Sequence, residues 1–366
     1  MIIKRIKAAE CKISLPHPIR LGPVEIKTRD FVVLRLETDS GLVGDAVSYP
    51  RGSSLLDSVG RLAPFALGSE VAMRRATIDT MLQSFVNGRP TFVKAAGLFD
   101  IALWDLAANS VDMPLFEMLG GVRTQAPMMA VAGYYLDQRT IEDVCDEVSK
   151  RVDEGYARIK IMISGTDLDR DRNLVEAARK IAGTRLCVDA HWVFRSLPAA
   201  LHHCRALDEF DLAFIEDPFG PNQGELTGAL QTRIQTPLAY GEDLPDAQSI
   251  HRAIEDIDYL RLDATTCGGV STALALAEAA GHAGRIVLPH VFTSLHAQLA
   301  GAVQAIDAVE YIPIEVGACP IYELLANKPV IKDGMLQIDT AAGAGMGLNW
   351  DRVEHFATDE ARDIQL

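Results

Sequence analysis

In the second half of this chain, short apolar runs keep ending in an acid or a histidine. Asp189 closes Leu186–Val188, Glu216 closes Phe214–Ile215, and Glu242 follows Tyr240-Gly241. Asp263 closes the run from Leu260, His290 the run from Val287, and Glu310 follows Val309. The recurrence is 20 to 27 residues, and the stretches between read as amphipathic helices, as at Ile141 to Asp153 and Asp169 to Ile181. A strand, a helix and a return of that length make the unit of a (β/α) barrel, whose chemistry sits at the C-terminal strand ends. Eight strands are expected, at 127–134, 158–163, 186–192, 212–217, 237–242, 259–264, 285–290 and 309–313. Eight parallel strands with short connections close more readily than they spread. A doubly wound sheet would need a glycine-rich phosphate loop after an early strand. The one glycine cluster, Gly343-Ala344-Gly345-Met346-Gly347, opens no helix in a βαβ unit and reads as a loop.

The 366 residues leave room for a second, smaller domain ahead of the barrel. Met1–Ile13 and Phe31–Glu37 alternate as strands, Gly41–Asp45 reads as a hairpin turn, and Pro16–Lys27 as a loop. From Ser54 to Asn109 the period is helical, strongest over Val93–Ala108, and a short helix at 114–119 stops at Gly120-Gly121. The expectation is an α+β domain over 1–122, a barrel over 123–344, and residues 345–366 packed on the first domain.

The net charge of −15 and pI near 5.0 exclude a basic surface for nucleic acid or an anionic membrane. They leave a small anionic substrate open. Six cysteines without CxxC spacing point to free thiols in a reducing compartment. The N-terminus reads as a strand without an apolar signal region, and no run nears the ~20 apolar residues that span a bilayer. A cytoplasmic protein is expected.

Asp189, Glu216 and Glu242 end three consecutive strands. Neighbouring strands lie ~4.8 Å apart, so three such carboxylates converge and repel. A hard divalent cation removes that penalty, and all-oxygen ligation suits Mg2+, with Mn2+ next. His290 and Asp263 end neighbouring strands, where a carboxylate fixes the imidazole tautomer and raises its basicity. Glu310 stands on the next strand, to orient a substrate or, if burial raises its pKa, to donate a proton; Glu315 is its rival. Arg158, Lys160 and Met162 share one strand face. Lys160 can hold a substrate carboxylate or act as a second base, and Arg158 has no evident role. His191 shares a face with Asp189 and is a candidate general acid. His202 and His203 read as surface.

This ordered set resembles the enolase superfamily, mandelate racemase subgroup, over nearly the whole chain. Phe99-Asp100-Ile101-Ala102-Leu103-Trp104-Asp105-Leu106-Ala107, then Pro114-Leu115 and Leu119-Gly120-Gly121, looks like the capping-domain signature. The resemblance implies Mg2+ on Asp189, Glu216 and Glu242, an Asp263–His290 dyad, and a (β/α)7β TIM-like barrel under an α+β capping domain. It also implies two cap loops over the substrate, Pro16–Lys27 and Ser48–Ser53, with His17, Arg20, Tyr49 and Arg51 as candidate substrate contacts. Barrels of this kind often assemble, so a homo-oligomer is expected.

One departure narrows the activity. Where the subgroup carries Lys-x-Lys, this chain has Lys160 followed by Met162. A thioether takes no proton, which weakens a two-base racemase. Asp189-x-His191 resembles acid-sugar dehydratases that also lack the second lysine. The expectation is therefore a dehydratase, with a racemase or epimerase as the alternative. A non-catalytic metal scaffold would have no need of the intact dyad.

Overall fold

The computed structural model describes residues 1–21, 24–85 and 88–365. The chain opens with β1 (Ile3–Leu21), β2 (Val24–Thr38) and β3 (Val43–Ser48). These are followed by α1 (Leu55–Ala66), α2 (Arg74–Ser84), α3 (Arg89–Ser110) and α4 (Leu115–Met118). The strands make an antiparallel sheet in the order β14-β1-β2-β3, its outer member β14 (Arg362–Gln365) coming from the far end of the chain.

Pro16–Lys27 is not the loop expected from its prolines. Both arms run as strand, with Ile19 opposite Ile26, and a register shift between Ser14 and Ile19 absorbs Pro16 and Pro18. A bulge is where a strand tolerates residues that lack an N–H. Gly22 and Pro23 lie outside the described residues. Ser48 likewise belongs to β3, so the second expected loop begins only at Tyr49.

The barrel alternates strand and helix. It runs β4 (Gln125–Ala132), α5 (Ile141–Asp153), β5 (Arg158–Met162), α6 (Leu168–Ala182), β6 (Leu186–Asp189), α7 (Leu197–Leu207), β7 (Ile215–Glu216) and α8 (Gly224–Gln231). It continues through β8 (Leu238–Tyr240), α9 (Ala247–Asp256), β9 (Tyr259–Leu262), α10 (Ala264–Cys267), α11 (Val270–His282), β10 (Ile286–Pro289), α12 (Thr293–Ala302) and β11 (Val309–Tyr311). Neighbours from β4 to β10 pair in parallel, and β11 returns to pair with β4. The seam between β10 and the approach to β11 closes through Val287 N–H to the Ala305 carbonyl (2.9 Å) and Asp307 N–H to the Val287 carbonyl (3.1 Å). Among the described residues, no α-helix stands between β11 and the hairpin that follows it, which gives the (β/α)7β form. A hairpin of β12 (Val330–Lys332) and β13 (Met335–Gln337) then adds antiparallel to β4. The last helix is α13 (Trp350–Phe356).

Local signals explain the helix boundaries. Thr140 and Asp143 form a capping box at the start of α5, and α6, α7 and α9 begin on Asp167, Ser196 and Asp246, each accepting from a first-turn N–H.

Period 2 sorts the barrel interior into layers. The floor is apolar, made by Met129, Cys187, Phe214, Ala239, Leu288 and Ala308. Arg158 closes it at one side, paired with Asp307 at 2.8 Å and lying over the Tyr259 ring at 5.3 Å. That accounts for a barrel-facing arginine at the strand's entry end. The six cysteines are free. His203 is a correction to the surface assignment: it is buried, its Nε2 3.0 Å from Asp171 Oδ2.

Two carboxylates of α3 lock the cap to its surroundings. Asp100 accepts from the Ser271 N–H (2.8 Å) and hydroxyl (2.7 Å) at the start of α11. Gly269 sits directly against it at φ +98°, where a Cβ would overlap the Asp100 side chain. Asp105 accepts from the N–H groups of Asp45 (3.0 Å) and Ala344 (2.6 Å), and Asp45 accepts from Leu348 (2.8 Å). The glycine-rich tail is thereby held against the cap.

Candidate active site

Above the apolar floor stands a closed ring of charge. Lys160 Nζ meets Glu216 at 2.6 Å and Glu310 at 2.6 Å, and Arg261 meets Glu216 at 3.2 Å and Glu310 at 2.6 Å. All four side chains are at most 4% exposed. Two cations alternate with two anions, so each buried charge faces two of opposite sign. Lys160 also reaches Asp189 (3.3 Å), and Arg261 reaches Glu242 (3.1 Å). Arg261 was missed because its run reads as apolar. The signal was the strand period, which puts residue 261 on the same face as Asp263.

The next layer holds the dyad. His290 Nδ1 lies 2.9 Å from Asp263 Oδ2, while the other Asp263 oxygen accepts from the Thr265 N–H at 2.7 Å. Burial alone would push the Asp263 carboxyl up, but the hydrogen bonds from His290 and Thr265 hold it well below the usual range. An ionised Asp263 only accepts, so the imidazole proton belongs on Nδ1 and Nε2 keeps its lone pair. Arg51 Nη2, a donor only, stands 3.3 Å from that Nε2. Arg51 also pairs with Asp243 and approaches Glu242 at 3.8 Å. Its backbone is in the left-handed region (φ 47°), and that tight turn brings the guanidinium over the barrel mouth.

Around these groups lies a cavity of about 690 Å³. Lys160, Met162, Asp189, His191, Trp192, Glu242, His290 and Glu310 line its barrel side, and Arg29, Tyr49 and Arg51 its cap side. His191 stacks on Trp192 with ring centroids 4.5 Å apart, and burial lowers its pKa. Tyr49 packs against Phe31 and Phe292, and its hydroxyl meets Cys319 Sγ at 3.0 Å. Two candidate contacts fall outside the cavity lining. Arg20 is exposed and paired with Asp137 and Glu25. His17 is exposed and packs edge-on to Tyr135. Both stand on β1, the arm that was read as a loop. Glu315 is half exposed and bound to Lys150 (2.8 Å) and Arg151 (2.9 Å), away from the cavity. Burial would raise the Glu310 pKa, as the proton-donor role requires, but Arg261 and Lys160 outweigh it and hold it low.

The acidic groups fit a hard divalent cation. Asp217 Oδ1 and Asp243 Oδ2 are buried oxygens without a hydrogen-bond donor, and Glu216 Oε2 has the ion-pair contact with Arg261 but no aligned hydrogen bond. Burial, with Asp189 and Glu242 nearby, pushes Glu216 up to about 8 in spite of Arg261 and Lys160. Such crowding is what a cation relieves. Asp189 and Glu216 sit level in register on β6 and β7. Lys160 stands between them, and Arg261 between Glu216 and Glu242. Among the described residues, the carboxylates whose oxygens gather within 4.8 Å of one another are Asp217, Glu242 and Asp243. Asp217 and Asp243 each follow a strand-end glutamate directly, a doubling visible in the sequence that was not used.

Residues 5–120 match the mandelate racemase / muconate lactonizing enzyme N-terminal domain, and residues 143–352 the enolase C-terminal domain-like family. The chain belongs to the enolase superfamily, in its mandelate racemase subgroup. A D-galactonate dehydratase family member from Enterococcus gallinarum is 26% identical, over 98% of this chain and 94% of its own. An N-succinyl-L-Arg/Lys racemase from Bacillus cereus is 24% identical, over 78% of each. The crystal structure of L-talarate dehydratase from Polaromonas sp. JS666, complexed with Mg and L-glucarate, superposes with a TM-score of 0.90. It is 26% identical and covers 100% of this chain and 99% of that one. These relatives include dehydratases and a racemase, and the subgroup is one of enzymes. No helix among the described residues is long and apolar enough to cross a membrane.

Proposed function

We propose that this protein is a Mg2+-dependent acid-sugar dehydratase that converts a 2,3-dihydroxy acid to a 2-keto-3-deoxy acid. Asp189, Glu216 and Glu242 would hold the ion, with Asp217 and Asp243 beside them. When bound, Mg2+ supplies a Lewis acid for the carboxylate and 2-hydroxyl oxygens of the substrate. His290, its tautomer set by Asp263, takes the proton from C2 through Nε2. Arg51 covers that lone pair here and must give way to substrate. The charge that passes to the carboxylate oxygens is met by Lys160, which Glu216, Glu310 and Asp189 keep in its ammonium form against burial. The C3–O bond then breaks as His191 protonates the departing hydroxyl. Water leaves, and the enol takes a proton at C3 to become the keto acid.

The observation that carries this reading is the cavity lining itself. His191 and His290 face one space, and Met162 stands where the subgroup's second lysine would be. The racemase alternative has one observation in its favour, since Lys160 lines the same cavity as His290 and could serve as a second base. Incubating the enzyme with acid sugars and Mg2+, and trapping 2-keto products, separates the two. The expected outcome is keto acid that disappears with a chelator and returns with Mg2+. A panel giving no keto acid, but solvent deuterium at C2 of both stereoisomers, would overturn the dehydratase.

A further inference from the structure

The far side of the cavity carries positive charge that the chemistry above does not use. Arg29 lines it from β2, and its Nε donates to the Ala318 carbonyl at 3.0 Å. Its guanidinium lies 5.8 Å from the Tyr49 ring centroid, on the face of β2 that also carries the buried Phe31. Among the described residues, no carboxylate comes within 4.0 Å of Arg29 or of Arg195 at the cavity rim. The other arginines of the cap sheet, Arg5, Arg20, Arg35 and Arg362, each meet one. Asp30, the nearest acid in sequence, is engaged by Thr28 (2.8 Å) and Lys12 (3.6 Å). A half-buried guanidinium without a counter-ion is costly, and with Nε already used its two terminal nitrogens remain for an end-on pair with an anion.

We propose that the substrate carries a second carboxylate, at the end of its chain remote from the reacting carbons, and that Arg29 receives it. This rests on the dehydratase reading and narrows it to the sugar diacids, as opposed to the monoacids that end in a neutral hydroxymethyl group. The dimensions fit. Arg51, beside the base, lies 5.9 Å from the same Tyr49 centroid, so the two guanidinium carbons are no farther apart than the sum of those two distances. The terminal carbons of an extended six-carbon diacid are roughly 6 Å apart. One end can lie at Lys160 and the acidic cluster while the other meets Arg29, with Tyr49 as the wall between. Arg195 adds a second cation at the rim. Net charge obscures this, because a chain of −15 sets Arg29 and Arg195 at this end of its cavity beside Asp30, which Thr28 and Lys12 already engage.

The test compares galactarate and glucarate with galactonate and gluconate, which share the six-carbon chain, in the Mg2+-loaded enzyme. The expected kcat/KM preference for the diacids is about 100-fold or more, as for a site built around an ionic partner. Arg29→Met should lower diacid kcat/KM about 100-fold, chiefly through KM, with a loss on monoacids at least tenfold smaller; Arg29→Lys should restore part of it. Calorimetric binding to a His290→Asn variant asks the same question without turnover. Equal losses on both classes would make Arg29 a structural strap and overturn the proposal, as would a preference for monoacids or for a phosphorylated monoacid. Keto acid formed from monoacids alone would sink the diacid assignment and leave the dehydratase standing. Diacid-selective binding without keto acid would do the reverse.

Discussion

At Arg261 one guanidinium meets Glu216, Glu242 and Glu310 with no exposure at all. Of these three acids, Glu242 depends on Arg261 most. Lys160 serves Glu216 and Glu310 but does not reach Glu242, whose remaining cation is Arg51 at 3.8 Å at the barrel mouth. Replacing Arg261 with methionine keeps the volume and removes the charge. It leaves Glu216, Glu242 and Glu310 each short of a cation, and breaking a buried pair in this way costs about 3–5 kcal/mol. Urea denaturation of Arg261→Met should show a loss of that size, and added Mg2+ should recover part of it, since a cation then repels Arg261 no longer. A loss below about 1 kcal/mol would mean that the ring relaxes around water and that Arg261 is not its keystone.

Strand ends were the legible elements. Seven of the eight barrel strands lie within the expected segments and β4 starts two residues ahead of its own, because a parallel strand buried on both faces is a near-continuous apolar run with a polar end. Asp189, Lys160, Glu216, Asp263, His290 and Glu310 converge for the same reason: each sits where its strand delivers it. What escaped were contacts made across elements. The prolines of β1 argued for a loop, and only the register shift at Ser14–Ile19 shows how a strand carries them. His203 has surface spacing, yet Asp171 on α6 gives it a buried partner. The cap signature was legible as a motif but silent on its purpose, which is the grip of α3 on α11. Asp100 holds both the N–H and the hydroxyl of Ser271, and Trp104 Nε1 donates to the same hydroxyl at 2.8 Å. Asp100→Ala would strand those donors at a cost of about 1–3 kcal/mol. Hydrogen exchange should then rise at the start of α11 and along α3 while the barrel strands stay protected. Exchange that rises uniformly would place Asp100 in the global core instead.

For the whole molecule, acid exceeds base in the interior as well as in the chain as a whole. Some acids without a role in the cavity are tied to cations elsewhere, and Glu315 is the instructive one because it competes in sequence with Glu310. It sits beyond β11 and bridges to α5, where burial opposes its charge but Lys150 and Arg151 hold its carboxyl down to about 2 from an ordinary 4.5. A carboxyl lowered by folding is more protonated in the unfolded chain between those values. Its stabilisation is therefore complete above about pH 5 and lost as the pH falls toward 2. The side chain is half exposed, so solvent screens the effect and it amounts to a bias on the acid limb. Glu315→Gln should flatten the fall of Tm between about pH 5 and pH 3 and leave kcat at neutral pH within about twofold. Collapse of kcat at neutral pH, with an unchanged acid limb, would instead move the last-strand carboxylate of the site from Glu310 to Glu315. The same measurement on Glu310→Gln gives the contrast, because that carboxylate is enclosed by Lys160 and Arg261 and its loss leaves both cations short of a partner at the centre of the barrel.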